Sequence, residues 1–337
     1  MPVFKNSVAR RLKQAERRIA RKVRVFEVRT RRRLSGEEVG GIKPENVVWI
    51  FGTARTGSTW LSKMMGEMRG HTVWREPLVG ALFGNLYYDR AKHLIGRQGK
   101  HYILGDGYRD SWLYSIRSFV LREASGRFPE AAGKGCYLIV KEPNGSLGAP
   151  LLMEALPESR MILLIRDPRD VVASSMDARR EGGWQYENRK RLAGGDNGEQ
   201  RSGSLVDKDP DAFVRDRAES YLQRIGFTKQ AYEAHEGPKT LVKYEELRAD
   251  TLGIMRRIYS ELGIPADEEK LRRAVEEHAW ENIPEEQKGE GKVFRKAMPG
   301  SWREDLTPEQ VRIVESITAP LLEEFYPARE TDPAARP

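Results

Sequence analysis

Three groups of residues in this chain have the types and spacing to hold phosphate-like anions. The first is Gly52-Thr-Ala-Arg-Thr-Gly-Ser-Thr59, a GxxxxG frame followed by two small hydroxyl residues. Such a loop aims backbone N–H groups at one anion, and a helix starting directly after it adds its positive end. Loops of this frame that hold nucleoside triphosphates need lysine after the second glycine, to reach the β- and γ-phosphates. Here that position is Ser58, and the nearby cation is Arg55. Alone, the loop also reads as a Gly-rich strand-to-helix turn that binds nothing. The second group is Arg166 and Ser174 in Arg166-Asp-Pro-Arg-Asp-Val-Val-Ala-Ser174, suited to a separate phosphate. The third is Arg295-Lys296, able to close over that same group.

The elements that must position these residues alternate. Asn46–Phe51 is a short apolar run before glycine, a buried-strand signal, and Ser58–Met68 has helical apolar spacing. Cys136–Lys141 reads as a second strand, followed by a helix over Leu147–Ala155. Arg160–Arg166 is a third strand, and the following helix runs to about Arg179. Thr240–Tyr244 is a fourth, with a helix over Thr251–Leu262. Such alternation predicts an α/β fold, a P-loop-like parallel sheet flanked by helices. Arg166 then falls at a strand C-terminus, where ligands bind in open parallel sheets. Residues 180–209 read as a long mobile loop and 282–303 as another polar stretch. A last helix over Thr307–Phe325 has Thr307 as N-cap and Pro308 in its first turn.

Charge separates the start of the chain from the rest. Residues 1–34 hold thirteen Lys/Arg against Glu16 and Glu27, a net +11 within an overall +8, which leaves −3 for the remainder. A global argument for nucleic-acid binding therefore fails, and no nucleic-acid partner is expected. Val8, Leu12, Ala15, Ile19, Val23 and Phe26 recur at helical steps, so 1–34 is expected to be a basic amphipathic helical extension. It reads first as a solvated helix packed on its own body or on a second subunit of a homo-oligomer. A membrane-surface helix drawn to anionic lipid comes second, and a nucleic-acid arm last. Residues 35–45 read as a linker and 327–337 as a disordered tail around a domain at 46–326. The single Cys136 excludes an intrachain disulfide, no apolar run approaches the ~20 residues that span a bilayer, and no apolar segment follows the basic start. A cytoplasmic protein is expected, peripheral to the membrane if the arm meets lipid.

Four ordered pieces then resemble the sulfotransferases that use 3′-phosphoadenosine 5′-phosphosulfate (PAPS). They are Arg55-Thr-Gly-Ser-Thr-Trp60, Leu164-Ile-Arg-Asp-Pro-Arg-Asp-Val-Val-Ala-Ser-Ser175, Val242-Lys-Tyr-Glu245 and Phe294-Arg-Lys-Ala-Met-Pro-Gly-Ser-Trp302. A donor with one phosphate and one sulfuryl group at its 5′ end has no need of the missing lysine. The resemblance implies that Arg55, Thr56, Gly57, Ser58 and Thr59 hold the 5′-phosphosulfate. It implies that Trp60 stacks on adenine, Tyr244 contacts adenine, Arg166 and Ser174 bind the 3′-phosphate, and Arg295 and Lys296 clamp it. The competing readings are a core tryptophan for Trp60, a strand-end core residue for Tyr244, and a surface charge and helix hydroxyl for Arg166 and Ser174. The family often has Gly after the Arg-Lys pair; this chain has Ala297, where φ > 0 is disfavoured.

The base departs from one branch of that family. Cytosolic members carry Lys-x-His, but here the element reads Lys141-Glu-Pro143, and the histidines at 71, 93, 101, 235 and 278 fall elsewhere. Two carboxylates remain. Glu76, in Trp74-Arg-Glu-Pro77, resembles the glutamate base of the tyrosyl-protein, carbohydrate and bacterial branches, and is preferred to Glu142. The alternative for Glu76 is an ordinary surface carboxylate paired with Arg75. Arg55, Lys141 and the loop N–H groups would stabilise charge on the transferring group, and no metal is implied. Two rivals stand: a P-loop small-metabolite kinase and a non-catalytic nucleotide-binding scaffold. The acceptor, whether small molecule, carbohydrate or lipid, would be chosen by 78–128, with Tyr87, Tyr88, Tyr102, Tyr108, Trp112 and Tyr114, and by 180–225, rich in arginine.

Overall fold

Five consecutive apolar residues, Val47–Phe51, form β1, and every one is buried. A computed structural model describes residues 41–90, 100–192, 205–292 and 295–327. The chain divides into two units, 1–41 and 42–337, and only the second is described in any length. The basic arm, most of the linker and the tail beyond 327 lie outside the described residues. At the start of the second unit, Ile42 is buried and donates its N–H to Ser125 Oγ (3.3 Å).

The strands are β1, β2 (His71–Arg75), β3 (Tyr137–Lys141), β4 (Arg160–Ile165) and β5 (Lys239–Lys243), in the order β2-β3-β1-β4-β5. All pairings are parallel, as expected. β1, β3 and β4 are buried on both faces, which is why they read as unbroken apolar runs. β2 was not anticipated. It is a half-exposed edge strand, His-Thr-Val-Trp-Arg, with no apolar run to announce it.

Helices cover both faces: α1 (Ser58–Gly66), α2 (Val79–Gly84), α3 (Arg109–Arg127), α4 (Ala149–Ala155), α5 (Pro168–Arg179), α6 (Trp184–Leu192), α7 (Pro210–Ala234), α8 (Thr251–Glu261), α9 (Glu268–Glu277) and α10 (Pro308–Phe325), with short turns between them. β4 shows the partition. Ile162 and Leu164 join Leu61, Met64 and Met65 of α1 and Met255 and Ile258 of α8. Leu163 and Ile165 point the other way, to Tyr221 and Ile225 of α7 and Leu321 and Phe325 of α10. Thr307 caps α10 in a reciprocal box with Gln310, and Asp167 caps α5 by accepting from the Arg169 N–H.

Two stretches read as variable contain long helices, α3 and α7. Their polar and apolar residues do not sort into one clean stripe, so periodicity alone missed them. The aromatics of 78–128 are partly core: Tyr87, Tyr102 and Trp112 are buried, and each donates to a neighbouring oxygen. The 180–209 segment is not loop throughout, since it contains α6 and a turn over Leu205–Lys208; residues 193–204 lie outside the described residues. Among the described residues no helix is long and apolar enough to cross a membrane.

Candidate active site

The strand register brings the C-terminal ends of β1, β3, β4, β5 and β2 to one edge, with Ile50 opposite Lys141, Arg75 opposite Lys141, and Ile165 opposite Lys243. The residues just past those ends are the chemistry-bearing ones. Phe51 leads into the glycine loop, Arg75 into Glu76, Ile165 into Arg166 and Lys243 into Tyr244.

Glycine is required twice in the loop. A Cβ on Gly52 would lie 2.3 Å from the Leu164 carbonyl oxygen of β4, and one on Gly57 would lie 2.6 Å from the Tyr244 ring. Gly57 also sits at φ 87 and is the N-cap of α1. The N–H groups of Ser58, Thr59 and Trp60 open the helix and have no acceptor within it. Thr56 is buried and closes the turn through Thr53 O (2.8 Å).

The residues expected to bind a second phosphate converge on this loop. Arg55 Nε donates to Ser174 Oγ of α5 (2.9 Å), and Arg166 Nη1 donates to Arg55 O (3.1 Å). The Arg166 guanidinium lies 4.4 Å from the Tyr244 ring centre and 3.8 Å from Asp170. Its Nε is buried without a hydrogen-bond partner among the described residues. Burial, Arg166 and Arg295 pull the Arg55 pKa down to about 10 against the opposing pull of Asp177. Cations held this close to one another make a strong anion site. Trp60 meets Tyr244 edge-on (6.3 Å) and donates Nε1–H to His278 O (2.8 Å). Arg55, Ser58, Trp60, Arg166, Tyr244 and Arg295 line a cleft whose free space, counted to its open mouth, is about 820 Å³.

Arg295 and Lys296 lie on that wall but already carry acidic partners. Arg295 pairs with Asp305 (2.7 Å) and donates to Ser301 Oγ (2.9 Å), while Lys296 reaches Glu304 and Asp305 (3.0 Å each). Asp170 anchors the loop by accepting from the N–H groups of Gly300 (2.8 Å) and Trp302 (3.1 Å). The guanidiniums of Arg169 (4.1 Å) and Arg303 (4.5 Å) each lie over the Trp302 ring. Ala297 does adopt the disfavoured conformation, at φ 49, with its carbonyl held by Arg248 Nε (3.1 Å). Relief of that strain makes Ala297→Gly an expected stabilising change of about 1 kcal/mol or less. That corresponds to a rise of about 2 °C in Tm by scanning calorimetry. An unchanged or lower Tm would contradict it.

The two carboxylates differ in setting. Glu76 is partly exposed, pairs with Lys141 Nζ and accepts from Asn144 Nδ2. Lys141 is buried, and its Nζ also lies 3.3 Å from Thr59 Oγ1, so one ammonium joins the glycine loop to Glu76. The side-chain partners of Glu76 are Lys141 and Asn144, not Arg75. Glu142 is fully buried, and its two oxygens accept from the N–H groups of Leu78 (3.0 Å) and Gly80 (3.1 Å). Burial pushes its pKa up to about 7, with those two bonds and Lys141 opposing and Glu76 assisting.

Among the described residues the non-glycine positions with positive φ are Arg55, Glu76, Leu78 and Ala297, and all four belong to this site or its flank. Such strain persists where surrounding contacts over-determine the backbone. Three contributors escaped sequence reasoning. Asn144 holds Glu76, Arg248 holds Ala297, and Trp184 lies 5.7 Å from the Arg55 guanidinium. None belongs to a periodic pattern; only the proximity of Asn144 to Lys141 in sequence hinted at it.

In fold the protein is similar to sulfotransferase STF9 from Mycobacterium avium, at 17% identity and TM-score 0.52, over 89% of this chain and 81% of that one. It is also similar to mouse sulfotransferase SULT7A1, solved with PAP, at 16% identity and TM-score 0.49, over 86% and 90% of the two chains. No curated protein matches the sequence. The family model described as "Sulfotransferase domain" matches residues 45–326, which take in the whole sheet and every residue of the cleft, and the chain therefore belongs to the sulfotransferase family.

Proposed function

We propose that the chain moves the sulfuryl group of PAPS to a hydroxyl or amine of an acceptor, with Glu76 as general base and PAP as product. The observation that carries this reading is the Thr59–Lys141–Glu76 connection: one buried ammonium spans the glycine loop and a partly exposed carboxylate. Arg55, Thr56, Gly57, Ser58 and Thr59 hold the 5′ end of the donor. Arg166 and Ser174, with Arg295 and Lys296 in the covering loop, hold the 3′-phosphate, and Trp60 and Tyr244 flank the base. The orphaned Arg166 Nε suits an anion that the protein itself does not supply.

Glu76 takes the acceptor proton while the acceptor oxygen or nitrogen bonds to sulfur. The bond from sulfur to the 5′-phosphate oxygen breaks, and the electron pair leaves with PAP. Lys141, Arg55 and the N–H groups opening α1 stabilise charge on the sulfuryl and bridging oxygens. The acceptor is a small molecule, a carbohydrate or a lipid. A thermal-shift comparison tests the donor assignment: PAP is expected to raise Tm by several degrees, and ATP with Mg²⁺ by less than one degree at the same concentration. Equal or larger stabilisation by ATP would point to a kinase instead.

A further inference from the structure

Glu142 lies directly beside the machinery yet has no place in the reaction just described. It is fully buried, and both of its oxygens are spent on backbone N–H groups of a different segment. That segment is the turn from Glu76 to Gly80, which leaves β2 and starts α2. The turn is an unfavourable one for its sequence, since Glu76 (φ 49) and Leu78 (φ 60) both occupy the left-handed region, without glycine at either position. Local preference does not hold it there, so the holding contacts come from elsewhere.

Two sets of contacts do so. On the backbone side, Glu76 N–H donates to Lys141 O (2.8 Å), and Glu142 N–H donates to Ile50 O (2.9 Å), so the turn and the carboxyl are each fixed to the sheet. On the packing side, α2 lies against residues 143–148 with glycines of both segments at the closest approach. A Cβ on Gly80 would meet Gly145 O at 2.1 Å, one on Gly148 would meet Gly80 O at 2.2 Å, and one on Gly84 would meet Gly148 N at 2.6 Å. Gly145 in turn has no room for a side chain, because a Cβ there would lie 1.8 Å from Glu142 Oε1. Backbone contact this close leaves the Glu142 carboxyl one seat, under the N-terminus of α2.

We propose that Glu142 is the positioning residue of Glu76: its carboxyl, by accepting the Leu78 and Gly80 N–H groups, holds the strained turn that presents the base to Lys141 and the acceptor. This rests on the reading of Glu76 as base. Glu142 itself touches no reacting atom. Its position in the chain, between Lys141 and the Asn144 that holds Glu76, places the electrostatic partner, the support and the lateral hydrogen bond of the base on one four-residue segment.

The test uses the full chain and the variants Glu142→Gln and Glu142→Asp. Gln turns one acceptor into a donor facing a backbone N–H, and Asp withdraws both oxygens by one methylene. Three quantities are read: hydrogen–deuterium exchange of a peptide covering 76–84, PAP affinity by calorimetry, and kcat and KM for PAP release from PAPS with 4-nitrophenol as acceptor. The expected result is exchange at 76–84 at least tenfold faster, PAP affinity within twofold of the parent, and kcat lowered about 10- to 100-fold with KM for PAPS unchanged. Unchanged exchange in both variants would overturn the proposal, as would faster exchange with an unaltered kcat when Glu76→Gln is itself inactive. The exchange measurement needs no turnover and decides whether Glu142 holds the turn even if 4-nitrophenol is a poor acceptor. Should Gln fail to fold, Asp carries the same comparison. Glu76→Gln run alongside separates the two claims: if it remains active while Glu142→Gln shows fast exchange, the base assignment fails and the support of the turn stands.

Discussion

Glu76→Gln is expected to lower turnover by about 10²- to 10⁴-fold while leaving PAP affinity within about threefold of the parent. Glutamine keeps the shape of the side chain; its one amide oxygen can serve Lys141 Nζ while its NH2 turns to Asn144, whose amide can flip to present its oxygen, so the turn and the glycine loop should persist. It cannot accept a proton, and it offers Lys141 a neutral oxygen in place of a charge. The loss should therefore fall on kcat and not on donor binding, the pattern of an interaction made only in the transition state. The measurement is PAP affinity by calorimetry beside label transfer from radiolabelled PAPS to an acceptor panel. Turnover at the parent rate would remove Glu76 from the mechanism. A parallel loss of PAP affinity would show instead that the Lys141 link shapes the donor loop.

Arg166→Ala is expected to weaken PAP binding about 100-fold, and AMP binding by no more than about threefold. Charge-assisted hydrogen bonds to a phosphate contribute about 1.5–3 kcal/mol each, and this guanidinium can offer more than one. Besides its ion pair with Asp170, three contacts fix Arg166 in place. Tyr221 OH donates to its carbonyl (2.6 Å), Nη1 reaches Arg55 O (3.1 Å), and the Tyr244 ring lies against its guanidinium (4.4 Å). AMP has the 5′-phosphate but lacks the 3′-phosphate, so the PAP-to-AMP affinity ratio isolates this contact. Equal losses on both ligands would assign Arg166 to the loop's structure rather than to the second phosphate. Removal of Arg166 also relieves one of the repulsions on Arg55, so the Arg55 pKa should move back up toward its ordinary range.

Much of the cleft was legible because its residues announce local geometry. Gly52 and Gly57 stand where no side chain fits, and Ser58 where a triphosphate site would have lysine. Arg166 follows an apolar strand at the sheet edge where ligands bind. Other features rested on weaker signals. β2 is an edge strand with one face half open, so its apolar content never rose above that of a loop. Arg295 and Lys296 looked in sequence like cations awaiting an anion, yet Asp305, Glu304 and Ser301 already hold them. Those partners lie in the polar stretch and short turn that follow, where no periodicity predicts which side chains meet.

The two carboxylates mark the limit most clearly. Glu76 and Glu142 each follow a parallel strand, and neither composition nor spacing separates them beyond the family's order. What separates them is the depth of their strands in the sheet. β2 is an edge strand, so the residue past its end stays partly exposed. β3 lies between β1 and β2, so the residue past Lys141 is buried and spends its oxygens on backbone N–H groups. The class of the fold, the glycine loop and the missing triphosphate lysine could all be read along the chain. Each depends on steric and charge properties carried by single residues and short runs. The link from the glycine loop through Lys141 to Glu76, and the buried seat of Glu142 beneath α2, emerged from folding alone. They arise from strand order and register, which bring together residues up to 82 positions apart through contacts that no local pattern encodes.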